Sequence, residues 1–116
     1  MDNLKEHSKI ILDFTELEVY KLSFEAAMQI YDSSKKWPQD EKYSLIDQIR
    51  RSSRSVCSNI AEAWRKRKYP AHFVSKLSDS DAEAAETQVW LQFALHCEYI
   101  GDNEYNSLKS KYDHIC

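Results

Sequence analysis

The stretch SLIDQIRRSSRSVCSNIAEAWRKR, residues 44–67, runs without a glycine or a proline and places Leu45, Ile49, Ser53, Val56, Ile60 and Trp64 three or four residues apart. That spacing is the 3.6-residue period of one helix face, and no strand would keep those side chains on one side. Ser44 with Asp47 reads as its cap, and the pattern predicts a helix to about Arg67. The rest of the chain follows from its sparse punctuation. Pro38, Pro70 and the single glycine, Gly101, cut 116 residues into segments that each carry a helical stripe. The first helix is expected to begin at Thr15, with a Thr15–Glu18 capping box and Phe14 stapled on Val19. Its stripe is Leu17, Tyr20, Phe24, Ala27, Met28 and Tyr31, and it ends near Lys35 and Lys36. A third helix should start at Pro70 with Phe73, Leu77, Ser80, Ala84, Thr87, Leu91 and Ala94 inward, closed by Gly101. A fourth, about 102–115, carries Tyr105, Leu108, Tyr112 and Ile115.

Four amphipathic helices on short connections predict an all-α, up-and-down antiparallel four-helix bundle over residues 14–116, preceded by an N-terminal arm, 1–13. One glycine and two prolines cannot supply the turns of a β-sandwich or barrel, nor the glycines of a Rossmann or P-loop fold. No apolar run reaches the ~18–20 residues of a membrane span. The acids Asp2, Glu6 and Asp13 are unlike a secretory signal, so a cytoplasmic protein is expected. Cys57, Cys97 and Cys116 form no C-x-x-C pair; Cys57 and Cys97 read as small core residues and Cys116 as an exposed terminus.

Residues 89–95 are apolar nearly all round. A helix apolar on every side must be covered on every side, which points to a second chain over Val89, Trp90 and Phe93; the alternative is that Ile10–Leu12 folds across them. Charge is segregated. Between Arg50 and Lys68 stand Arg50, Arg51, Arg54, Arg65, Lys66, Arg67 and Lys68 against Glu62 alone. Between Asp79 and Glu104 stand Asp79, Asp81, Glu83, Glu86, Glu98, Asp102 and Glu104 with no Lys or Arg. Three readings compete: a solvated, dipole-favoured helix end, a phosphate-binding patch, or unlike flanks that join copies head to tail, with Asp81 and Glu86 in the contact.

Catalytic and metal chemistry finds no foothold. None of His7, His72, His96 and His114 has a glutamate three residues before it, as a di-iron bundle needs, and H-E-x-x-H is absent. The serines at 52, 53, 55 and 58 lie on a helix, without a nearby histidine. No enzyme activity, metal or cofactor is expected.

The run from Asp47 to Glu62, with Asn59-Ile60-Ala61-Glu62 as its most specific part, resembles the signature of the four helix bundle protein family, encoded in intervening sequences of bacterial 23S ribosomal RNA genes. Leu17-Glu18-Val19-Tyr20, Tyr43-Ser44-Leu45, Glu86-Thr87-Gln88 and Tyr99-Ile100 extend the likeness over about residues 14–112. Two positions depart from it: Ala63-Trp64 stands where the family has Gly after the Glu, and Ser80-Asp81 replaces a Gly-Ser pair. The resemblance implies a left-handed bundle assembled as a cyclic homopentamer, with a nucleic-acid role and no catalysis. It also implies kinship in fold with the RNA-binding accessory variability determinant of diversity-generating retroelements. It marks Arg51, Asn59 and Glu62 as motif positions; Asn59 and Glu62, three apart on a helix, could form a buried pair or cap a neighbouring subunit. The expected function is therefore a ring-forming, non-enzymatic bundle that binds RNA or DNA backbone through its basic edges. The alternative is an adaptor that recruits a protein through its acidic and apolar third helix.

Overall fold

The computed structural model describes residues 10–115; residues 1–9 of the expected arm, and Cys116, lie outside them. Four helices, α1 (Glu18–Ser34), α2 (Asp47–Arg65), α3 (Pro70–His96) and α4 (Asp102–Ile115), make up the chain, with no strand among the described residues. Cross-helix contacts fix the topology. Along α2 and α3, Arg51 meets Glu86, Ser52 meets Thr87, Val56 meets Ser80 and Glu62 meets Lys76, so position rises on one helix as it falls on the other. The same holds for α1 and α4, where Ser33 Oγ donates to Glu104 at 2.6 Å and Lys111 Nζ to Gln29 at 2.8 Å. Each helix is antiparallel to its neighbours, and α1 against α4 closes an all-α four-helix bundle.

The core is built from Ile30, Ile49, Val56, Ile60, Leu91, Leu108 and Tyr112 with alanines between them. Small polar residues let α2 and α3 approach closely, and each finds a partner, as buried hydroxyls must. Ser80 donates to the Val56 carbonyl at 3.1 Å, and the Thr87 and Ser52 hydroxyls lie 2.8 Å apart. Ser80, which stands where the resembled family has a glycine, therefore ties the two helices instead of merely making room.

Several local expectations are corrected. The capping box at the start is Asp13 with Glu16, on a 3-10 turn Phe14–Glu16, and not Thr15 with Glu18: Glu16 Oε2 accepts from the backbone N–H of Asp13 at 3.0 Å, and Thr15 spends its hydroxyl on Asp13. Leu17 precedes α1 without a side-chain cap. Ser44 is no cap either. The chain is already helical from Gln39, through a 3-10 turn (Gln39–Glu41) and a π turn (Lys42–Ile46) that run into α2, and Ser44 Oγ donates to Glu41 at 2.6 Å. The stripe on α1 is rotated: Ser23, Ala26, Ala27, Ile30 and Ser34 face the core, while Phe24 is 50% exposed and Met28 44%.

Gly101 does not close α3. Glu98 does, at φ 64°, with Tyr99 N–H on the Ala94 carbonyl (2.8 Å) and Glu98 N–H on that of Leu95 (3.0 Å), the paired bonds of a Schellman motif. Gly101 has no positive φ and begins α4, its carbonyl accepting from Tyr105 N–H at 3.0 Å.

Candidate functional site

The sequence-predicted cations part company in the structure. Arg51 reaches across to α3, its Nη1 3.2 Å from Glu83 and its Nη2 on Glu86. The basic and acidic flanks therefore meet first inside one chain, and Glu86 is not left free for a neighbouring copy. Arg67 folds back on its own helix end: its Nη1 donates to the Trp64 carbonyl at 2.9 Å, and the guanidinium lies 4.0 Å over the indole. This is the dipole-favoured capped terminus. Arg50 is half-buried, its Nε donating to Ser34 Oγ at 2.9 Å and its guanidinium 4.8 Å over the Tyr31 ring. Glu62 is exposed and takes Lys76 at 2.8 Å, so the buried pair with Asn59 is not formed.

Arg54, Arg65, Lys66 and Lys68 are exposed, and among the described residues none of them has a carboxylate partner. Arg54 and Arg65 are eleven residues apart, three helical turns, and so stand almost in line about 16 Å from each other along α2. Ser58 and Ala61 lie between them, short side chains that leave the row open. On one side of Arg54 is a shallow polar hollow that also includes Asp47, Gln48, Arg50 and Ser55. On its other side, between α1 and α2, is an aromatic groove of about 390 Å³ lined by Tyr20, Phe24, Met28, Tyr31 and Cys57 among others. Burial pushes the Cys57 thiol above its ordinary pKa. Sequence reasoning missed this groove because it assigned the aromatic stripe to the core.

The residues expected in a subunit contact divide as well. Trp90 is partly buried against its own core. Val89 is 45% exposed and Phe93 54%, and Asp81 is exposed at the rim of a second, mainly apolar groove of about 650 Å³ with Trp64, Phe73 and Leu77. Ile10 and Leu12 are exposed and do not cover Val89 or Phe93. A stripe emerges that had not been read: Val74, Ser78, Ala82, Ala85, Val89 and Phe93, spaced four, four, three, four and four, all exposed on the face of α3 opposite its core residues. The signal was there in the sequence, as a second apolar register beside the buried one.

Among the described residues no group of three His, Cys, Asp or Glu could hold a metal ion, and no helix is long and apolar enough to cross a membrane. The family model described as 23S rRNA-intervening sequence protein matches residues 15–116. The chain belongs to that family. A crystal structure of a protein of unknown function from the S23 ribosomal protein family of Bacteroides thetaiotaomicron VPI-5482 matches it with a TM-score of 0.74 at 33% identity, over 84% of this chain and 87% of that one. No curated protein matches the chain. The intervening-sequence family resemblance carried by Asn59-Ile60-Ala61-Glu62 is thus borne out over nearly the whole chain, along with the helical fold. Two of its three motif residues, Arg51 and Glu62, serve as ties from α2 to α3.

Proposed function

We propose that this protein is a non-enzymatic, ring-forming bundle, a homopentamer, that binds RNA or DNA backbone along the basic row of α2. The observation that carries the reading is that Arg54, Arg65, Lys66 and Lys68 are exposed and unneutralised while nearby Arg51 and Arg67 are committed within the chain. Free cations, Arg54 and Arg65 in line and Lys66 and Lys68 on the turn beyond, release counterions from a phosphate backbone without reading its sequence. At a net charge of −3 one row binds weakly; repetition around a ring would add avidity with no new contact. The exposed α3 stripe supports assembly, since a long apolar and small-residue face without a partner among the described residues of its own chain suits a contact between copies. With Arg51 held by Glu83 and Glu86, that apolar face, more than opposite charge, would join the copies.

An anisotropy titration with a structured RNA between about 50 and 200 mM salt tests it. The affinity should fall steeply with salt, and the combined variant Arg54→Gln, Arg65→Gln, Lys66→Gln, Lys68→Gln should flatten the slope by about one unit per lost phosphate contact. Salt-insensitive binding, or none, refutes it. Light scattering reads the assembly.

The exposure of Val89 and Phe93 also favours a second reading, an adaptor that takes a protein partner on α3. A pull-down after nuclease treatment separates the two: a protein partner on α3 survives nuclease and is lost in Phe93→Ser.

A further inference from the structure

The α1–α2 groove has the makings of a base-stacking platform, and the geometry points to unpaired nucleic-acid strands, RNA or DNA, as what the α2 row takes up, their bases lying against the aromatic stripe of α1 while Arg54 and Arg65 hold the phosphates. The inference rests on the basic-row reading and narrows it.

Phe24 and Met28 are exposed along α1, flanked by the half-buried rings of Tyr31 and of Tyr20, which also packs against the core. Phe24 is half exposed, and its ring stacks beside that of Tyr20, with centroids 6.1 Å apart and an interplanar angle of 29°. An amphipathic helix ordinarily turns such a stripe inward; here serines and alanines take the core positions of α1 and leave the rings in a groove. Cations border the Tyr31 end of that groove, while the Asp13 carboxylate lies near Tyr20 at the other end. The Arg54 guanidinium lies 5.7 Å, that of Arg50 4.8 Å and the Lys35 ammonium 4.6 Å from the centre of the Tyr31 ring, and among the described residues no carboxylate lines the groove. A protein segment seated there would need acids to meet the arginines and flat apolar groups to meet the rings. An unpaired strand brings both in every nucleotide, a planar base on an anionic backbone. Planar faces beside an electropositive track are how single strands are held without sequence preference. The dimensions agree. The aromatic stripe from Tyr20 to Tyr31 and the step from Arg54 to Arg65 are each about 16 Å long. That is roughly four to five nucleotides at the stacked spacing of ~3.4 Å per strand. A duplex offers only its backbone here, because its base faces are already stacked on one another.

Three labelled probes in anisotropy titrations test this on the full chain: a 12-nucleotide single-stranded RNA, the same strand as a duplex, and a 12-unit abasic strand with the same phosphates. The single strand should bind most tightly. Phe24→Ala should weaken it by about five- to a hundredfold, the range for losing one base–aromatic stack, and leave the duplex and abasic strands unchanged. Phe24→Leu, which keeps an apolar side chain on a half-exposed site, guards against a folding defect and should weaken the single strand in the same direction. Equal affinity for the single and abasic strands, with no effect of Phe24→Ala, overturns the inference and leaves the basic row standing as a phosphate site. Binding to none of the three overturns both. A drop in assembly mass by light scattering on Phe24→Ala would make the groove a contact between copies, and that too overturns it.

Discussion

Replacing Glu98 by glycine should stabilise the protein. Glu98 is the left-handed residue after α3, at φ 64°, and among the described residues it makes no side-chain hydrogen bond that the change would remove. A non-glycine residue there crowds its Cβ against the following carbonyl at a cost of about 1–2 kcal/mol. Glycine relieves that strain, but its freer unfolded chain returns about 0.5–1 kcal/mol. The net gain is about 0.5–1 kcal/mol. For 116 residues the unfolding entropy near 60 °C is about 0.24 kcal/mol per kelvin, so Tm should rise by about 2–4 °C. The companion variant is Gly101→Ser. No atom lies within 4 Å of a Cβ built there, and residue 101 begins α4, where serine caps a helix well, so Tm should hold or rise slightly. Thermal unfolding followed by circular dichroism at 222 nm, at one fixed protomer concentration because assembly shifts Tm, measures both. A fall of several degrees for Gly101→Ser together with a fall for Glu98→Gly would return the left-handed position to the glycine and refute the argument.

Tyr99→Phe should lower stability in the middle of the pH range, with its difference from the parent shrinking toward both extremes. Tyr99 donates to Glu41 at 2.8 Å; that bond pushes the phenol up to about 12, and the Ser44 and Tyr99 hydroxyls hold the Glu41 carboxyl below its usual range. A raised phenol stabilises the fold below its ordinary pKa near 10 and loses that contribution as pH climbs toward about 12, whereas a lowered carboxyl stabilises above its ordinary range and loses it on acidification. Urea midpoints of the parent should therefore decline at both ends, and those of Tyr99→Phe should start lower and change less; superimposable curves would refute the bond. Arg51→Gln should cost about 0.5–1 kcal/mol at low salt and less at high salt, because both carboxylates it meets are only partly buried. A double-mutant cycle with Glu86→Gln that shows no coupling would deny the α2–α3 tie. In alkylation mapped by mass spectrometry at pH 8, exposed Cys97 should react well before Cys57, whose thiol burial holds protonated; equal rates would place Cys57 at the surface.

The α2 stripe was legible for most of its length: Ile49, Ser53, Val56 and Ile60, with Leu45 in the preceding π turn, were expected inward and are buried, while Trp64 is half-buried. So were Ser80, Ala84, Thr87, Leu91 and Ala94 on α3, whereas Phe73 and Leu77, also expected inward, are respectively half-buried and exposed at the rim of a groove. Over most of both stripes period and burial coincide. On α1 they do not, because hydrophobicity ranks Phe24 and Met28 above Ser23 and Ala26, while the close helix packing at that level admits the small pair. The caps failed for a related reason. Thr15 and Ser44 have capping chemistry, but Asp13 and Glu41, within three residues, hold their hydroxyls.

By itself the sequence determined four helices, their approximate bounds at Pro70 and Asp102, and their antiparallel order, since short connections between long amphipathic segments leave little choice. It also determined the supply of cations on α2. Which of those cations stay free was decided only by the tertiary structure, because a guanidinium's partner is whatever carboxylate, carbonyl or ring the neighbouring helix brings within a few ångströms. Arg51 found Glu83 and Glu86 more than thirty residues away, Arg67 found Trp64 on its own turn, and Arg54 faces the aromatic groove without an acid beside it.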